Sequence, residues 1–110
     1  YYNQNVRNGI FLSYHKNGAL KSEISYVENK FNGIYKTYTR DSTLRMDRVY
    51  KNGIIDGEDK YYYKNEELAY HHFYKKGKKE GRWFYYFENG DEERMEQYTI
   101  KSKNKVCFIL

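Results

Sequence analysis

The chain has 110 residues, with 20 Lys and Arg against 15 Asp and Glu for a formal charge of +5, no Pro, one Cys and 20% aromatics. The single cysteine excludes an internal disulfide and a cysteine-based zinc site. No apolar run reaches the ~18 residues of a spanning helix, and the many rings exclude the aromatic-poor make-up of a disordered chain.

The positive charge favours acidic partners, whether protein, anionic lipid or nucleic acid, without choosing among them. The opening Tyr-Tyr-Asn lacks a Met, as expected of a trimmed or processed chain. The cytoplasm is the slightly favoured location, with an exported chain that has lost its signal peptide as the alternative.

In chain order, a glycine returns at Gly9, Gly33, Gly57 and Gly81, every 24 residues without a break. A period of this length marks an array of small units. A partial unit covers 1–8, four units cover 9–32, 33–56, 57–80 and 81–104, and a closing strand covers 105–110, together one repeat domain. Counting each glycine as zero, position five is Tyr14, Tyr38, Tyr62 and Tyr86, and position seventeen is Tyr26, Tyr50, Tyr74 and Tyr98, with Tyr2 on the same row.

Each unit holds two runs rich in Tyr, Phe, Ile and Leu, split by Asn17-Gly18, Asp41-Ser42, Asn65-Glu66 or Asn89-Gly90. That is a β-hairpin pattern. Second links at Asn32-Gly33, Asn52-Gly53 and Lys76-Gly77 feed one hairpin into the next. The expected fold is all-β: a single-layer antiparallel β-meander of about four hairpin repeats plus a terminal strand.

A two-residue Asn-Gly loop would place the repeated Tyr and Leu on opposite faces. A three-residue loop ending in a left-handed Gly, Lys16-Asn17-Gly18 or Glu88-Asn89-Gly90, would instead pair Tyr14 with Leu20 across the ladder and gathers the most regular positions into one row. Continuing from that pair in steps of two gives a buried face of Ile10, Leu12, Tyr14, Leu20, Ile24 and Tyr26 in the first unit. In later units it gives Ile34, Tyr38, Leu44, Met46 and Tyr50, then Tyr62, Leu68, Tyr70 and Tyr74, then Phe84, Tyr86 and Tyr98. A register slip of one residue overturns such a list. The opposite face would then present Phe11, Tyr35, Tyr61, Tyr63, Trp83, Tyr85 and Phe87 as an uncovered aromatic patch of the kind that marks binding surfaces.

These residues resemble the variant class of MORN repeats. The fourth unit carries Gly81, Trp83, Tyr85, Tyr86, Asn89, Gly90 and Tyr98 of that pattern, and the first carries Gly9, Tyr14, Asn17, Gly18, Leu20, Glu23 and Tyr26. The third departs from it at Asp59, Glu66 and His71. The resemblance implies a repeat scaffold with no catalytic residues to carry over. Bacterial proteins of this build are classed among YwqK-type antitoxins, which implies a toxin as protein partner.

Position fourteen reads Glu23, Asp47, His71 and Met95, but equivalent residues of successive two-strand units stand roughly 10 Å apart. That is too far for one metal ion or one proton transfer. Adjacent His71 and His72 point to opposite faces. An enzyme, a metal or a cofactor is therefore not expected.

Lys30, Lys51, Lys75, Lys76, Lys78, Lys79, Lys101 and Lys103 fall on the edge of the unit-to-unit links, while Glu66, Glu67, Glu88, Asp91, Glu92 and Glu93 fall on the edge of the hairpin tips. The leading expectation is a non-enzymatic protein-binding module, an antitoxin or immunity protein among the options. Its partner-binding residues would be Tyr35, Tyr61, Tyr63, Trp83, Tyr85 and Phe87, with Lys75, Lys76, Lys78 and Lys79 for orientation. The alternative is a module docking on anionic membrane through its lysine edge, to which the terminal Cys107-Phe108-Ile109-Leu110 could add a prenyl group. Single-stranded nucleic acid ranks last, because the rings are locked to the period and so have a structural use first. Two sheets pairing face to face would make a homo-oligomer.

Overall fold

The computed structural model describes residues 6–98 and the backbone of 105–109. Its strands are β1 Gly9–Tyr14, β2 Leu20–Val27, β3 Lys30–Tyr38, β4 Leu44–Lys51, β5 Ile54–Tyr62, β6 Leu68–Lys75, β7 Lys78–Lys79, β8 Gly81–Tyr86, β9 Glu92–Tyr98 and β10 Lys105–Ile109. Each pairs antiparallel with its chain neighbour, β6 taking both the short β7 and β8, so the sheet is one open meander. The molecule measures 51 × 36 × 11 Å. Stacked sheets lie about 10 Å apart centre to centre, so an 11 Å slab holds a single layer. Trp83, 3% exposed, is the one buried apolar side chain among the described residues.

The two kinds of turn repeat with different chemistry. Three links, Glu28-Asn29, Asn52-Gly53 and Lys76-Gly77, are two-residue turns with positive φ at both positions, the geometry whose twist matches that of the flanking strands. Asn32-Gly33, expected as a link, lies inside β3 instead, because the turn has already been made at Glu28-Asn29.

The four hairpin tips are three-residue loops closed by Gly18, Ser42, Glu66 and Gly90, all with φ between +70° and +94°. Each repeats the same backbone bonds: His15 N to Ala19 O, Thr39 N to Thr43 O, Tyr63 N to Glu67 O and Phe87 N to Asp91 O, all at 2.8 Å. Ser42 and Glu66 adopt at a cost a conformation that glycine takes freely.

These loops pair Tyr14 with Leu20, Tyr38 with Leu44, Tyr62 with Leu68 and Tyr86 with Glu92. Directly beyond each pair the register shifts, so that Ser13 faces Ser22 and Phe11 faces Ile24. The extra residue on the returning strand swaps the two faces.

The buried list built from the Tyr14–Leu20 pair is therefore wrong past that pair. Ile24 and Tyr26 share a face with Phe11, and Ile10, Leu12 and Tyr14 on the other face are 60%, 51% and 59% exposed. The better-covered face, here called the front, carries Trp83, Tyr35, Tyr61 and Tyr85, which the sequence pattern puts on the open side. The back carries an alternating cross-strand ladder of Glu23, Lys36, Asp47 and Lys60.

The recurring glycine sits opposite the position-seventeen tyrosine every time: Gly9 with Tyr26, Gly33 with Tyr50, Gly57 with Tyr74 and Gly81 with Tyr98. All four glycines have positive φ. At Gly33 and Gly57 three residues stand against one on the preceding strand, and at the first of these bulges Phe31 and Tyr35, which alternation already puts on one face, come into ring contact with centroids 5.1 Å apart. Strand β10 closes the sheet by pairing with β9, as the register of a fifth unit requires. Tyr2, Lys101, Lys103 and Leu110 lie outside the described residues.

Candidate functional site

The front face is built from two repeat positions that meet across strands. Position two supplies Phe11, Tyr35, Asp59 and Trp83, and position fifteen supplies Ile24, Arg48, His72 and Glu96. In the N-terminal half the row is apolar. Rings of Phe11, Tyr26, Phe31, Tyr35 and Tyr50 form an unbroken network with centroids 5.0–5.5 Å apart, and Arg7 lies over its outer end. Edge-to-face and tilted contacts at these distances are favourable ring geometries.

In the C-terminal half the row becomes charged. The Arg48 guanidinium donates through Nε to Asp59 Oδ1 at 2.8 Å, and Asp59 is only 2% exposed. Burial opposes the charge on Arg48, but the hydrogen bond and field of Asp59 outweigh it and raise its affinity for the proton. His72 is stacked between Tyr70 and Trp83, with ring centroids 4.1 and 3.8 Å away and planes within about 12°. Burial first, then the charges of Lys79, His71 and Arg94, depress its pKa to about 4 against the pull of Glu96. Its Nε2 is buried without a hydrogen-bond partner.

Glu96 is buried too, and burial alone would raise its pKa. The hydrogen bonds donated by Tyr98 at 2.9 Å, Tyr85 at 3.1 Å and Arg94 at 3.4 Å reverse that and hold it low. The same burial and the neighbouring carboxylate push Tyr85 up to about 12. The Arg94 guanidinium covers the Tyr85 ring at 3.7 Å, and the Lys79 ammonium lies over Trp83 and Tyr98 at 4.9 and 5.1 Å. Nothing here pairs a nucleophile with a base, and among the described residues no group of three His, Cys, Asp or Glu side chains could hold a metal.

The structure brings Tyr35, Tyr61 and Tyr85 onto the front, each half-buried. Trp83 is there as well, but its ring is covered on one side by His72 and its Nε1 donates to the Phe73 carbonyl at 2.8 Å. It is a post of the sheet and offers little surface. Tyr63 sits at a hairpin tip and donates to the Tyr86 carbonyl, while Phe87 is exposed at the next tip. Lys75, Lys76, Lys78 and Lys79 are exposed at the opposite edge, away from those tips.

Arg48, His72 and Glu96 were not singled out in the sequence, and the reason is one residue of register. The ladder that couples lies at position fifteen, directly after the position fourteen set of Glu23, Asp47, His71 and Met95. Asp59 in an aromatic row was the available signal: a carboxylate there calls for a cation at a cross-strand neighbour, and Arg48 supplies it, with the neutral His72 on the other side. His71 does face away from His72, pairing with Glu58 at 3.0 Å on the back.

The tips are tied to one another between units. His15 Nε2 donates to Tyr38 O at 2.9 Å and Asn17 Nδ2 to Arg40 O at 3.0 Å; Tyr63 and Asn65 make the same reach to Tyr86 O and Glu88 O at 2.8 Å. Between the second and third units the equivalent residues, Thr39 and Asp41, bond to each other instead.

A family model described as the MORN repeat variant matches residues 7–28. This stretch spans the first hairpin, from the Arg7 that caps the ring network to the first link. No curated protein matches the chain.

Proposed function

We propose that the chain is a non-enzymatic repeat module that binds a protein partner on its front face. The observation that carries this reading is the ring network Phe11, Tyr26, Phe31, Tyr35 and Tyr50, laid out on a one-layer sheet. Partly exposed tyrosines offer large, rigid contact area with a hydroxyl for hydrogen bonding, the make-up of interface anchors. The match to a MORN repeat variant fits a scaffold of this kind. The four lysines at the opposite edge would orient an acidic partner.

A photo-crosslinking residue placed at Tyr35, and separately at its back-face neighbour Lys36, tests the assignment in the native cell. One discrete protein adduct from position 35 and none from position 36 is the expected result. Equal adducts from both, or none from either in a folded chain, would overturn it. Toxin neutralisation is the narrower form of this reading and comes only from the resemblance to antitoxins. Co-expression with the product of an adjacent gene would test it, rescue of growth being the supporting outcome.

The link edge favours a second reading, docking on anionic membrane. Lys30, Lys51, Lys75, Lys76 and Lys78 are all exposed along it. Flotation with vesicles containing phosphatidylserine should then fall as salt rises and as these lysines are replaced by Gln, whereas flotation that ignores lipid charge removes the reading.

A further inference from the structure

The four hairpin tips share one edge of the sheet, and their charge changes steadily along it. Over residues 15–21 the cations Lys16 and Lys21 stand unopposed; over 39–45 Arg40 and Arg45 exceed Asp41 by one. Over 63–69 Glu66 and Glu67 exceed Lys64 by one, and 87–93 holds the carboxylates Glu88, Asp91, Glu92 and Glu93 with no cation of its own, Glu93 being paired at 3.0 Å with Arg94 just beyond it. The edge thus runs from two net positive charges to four net negative ones in the order of the units.

The tips holding these charges are fixed. The bonds of His15 to Tyr38 O and Asn17 to Arg40 O lock the basic end, where an open groove of about 450 Å³ is lined by Tyr14, Lys16, Lys21 and Arg40 with no carboxylate in its lining. Asn65 to Glu88 O does the same at the acidic end.

We infer that this edge is a self-complementary interaction surface whose partner is a second copy of the chain, turned about a two-fold axis so that the basic tips of each copy meet the acidic tips of the other. A two-fold axis applies each contact twice. It sets the doubly positive first tip against the fourfold negative last tip, and the second tip against the third, with opposite signs in every pair. The parallel arrangement would set like against like along the whole edge.

An edge 51 Å long and 11 Å thick offers roughly 500 Å² per copy, at the small end of specific interfaces. The association is therefore weak, steered by charge and dependent on salt. It leaves both sheet faces open and is independent of the front-face reading.

Sedimentation equilibrium of the full chain from ~10 mM to ~1 M salt tests this, since the screening length falls from about 30 Å to about 3 Å over that range. The expected mass moves from two chains to one as salt rises. A chain with Lys16→Glu and Arg40→Glu should stay monomeric at low salt, as should one with Asp91→Lys and Glu93→Lys. An equimolar mixture of the two should form a one-to-one complex, weaker than the wild-type dimer, because the unaltered acidic last tip of the first variant still meets the unaltered basic first tip of the second, the strongest contact of the wild-type pair. Lys51→Glu with Lys76→Glu, which makes the same charge change on the link edge, should leave the dimer intact.

The emission of Trp83, remote from these sites, reports whether each variant is folded. A wild-type chain that is monomeric at every salt concentration overturns the proposal, as does a dimer indifferent to both tip variants. Saturable binding of inorganic phosphate at Lys16 and Arg40 by a chain that stays monomeric would likewise overturn it.

Discussion

Asp59 and Arg48 face each other across the seam between the second and third units, 2.8 Å apart, at the position where other units put a ring. A carboxylate 2% exposed needs that cation, and the pair is stable only as a pair. Asp59→Asn should cost about 3 kcal/mol. Replacing both, Arg48→Ile with Asp59→Phe, copies the first unit and should recover most of the loss. Urea unfolding of the two single variants and the double gives the coupling directly, and additive costs would show that the pair acts separately.

His72 gives the protein an acid sensitivity that sets in before its carboxylates titrate. Its folded pKa of about 4 lies below the unfolded value of about 6.5, so the unfolded chain binds the proton more tightly. Stability from this group is complete above pH 6.5 and is lost as pH falls toward 4, about 3 kcal/mol in all. Asp59, Glu96, Lys79, Arg94 and Arg48 share the face around it. His72→Gln should flatten the pH 4–6.5 limb of the stability curve, and the change in Trp83 emission that follows protonation of the stacked imidazole should vanish with it.

Backbone conformation predicts gains and losses of opposite sign. Ser42 and Glu66 hold φ near +70°, so Ser42→Gly and Glu66→Gly should each stabilise by about 1 kcal/mol. Gly57 has φ +119°, and an added Cβ would stand 3.4 Å from that of Val49. Gly57→Val should therefore destabilise by about 2 kcal/mol or more. Midpoints of chemical denaturation measure all three, and a neutral Gly57→Val would remove the glycine from its structural role.

The missing tie between the second and third tips is repairable. Asn17 and Asn65 donate to the next tip, whereas an ionised Asp41 has no proton to give. Asp41→Asn should add the bond to the Lys64 carbonyl and stabilise by about 1 kcal/mol, and Asn17→Asp should lose as much. Hydrogen exchange of the Lys64 and Arg40 neighbourhoods checks each change locally.

Period and turn residues made the fold legible: the spacing of Gly9, Gly33, Gly57 and Gly81 reports the unit, and Asn-Gly pairs report its turns. The assignment of faces failed because the register shift past Tyr14–Leu20 has no residue signature of its own. Lys21, the extra residue there, is an ordinary strand residue. For the same reason Trp83 read as surface when it is the most covered ring among the described residues. The Arg48–Asp59–His72 row was present in the sequence as a departure at Asp59, but its partners could be named only once the bulge put position fifteen across from position two.

Because every strand of this 11 Å slab pairs with its chain neighbours, β6 reaching past only the two-residue β7 to β8, no contact within the ladder closes a loop longer than about one unit. Chain-closure entropy is then the same at each step of assembly and does not grow with the number of repeats. A further 24-residue unit spliced in at a link should leave the folding rate nearly unchanged while lengthening the aromatic face. Repeat number, and with it the reach of the binding surface, is a quantity this architecture can alter without relearning how to fold.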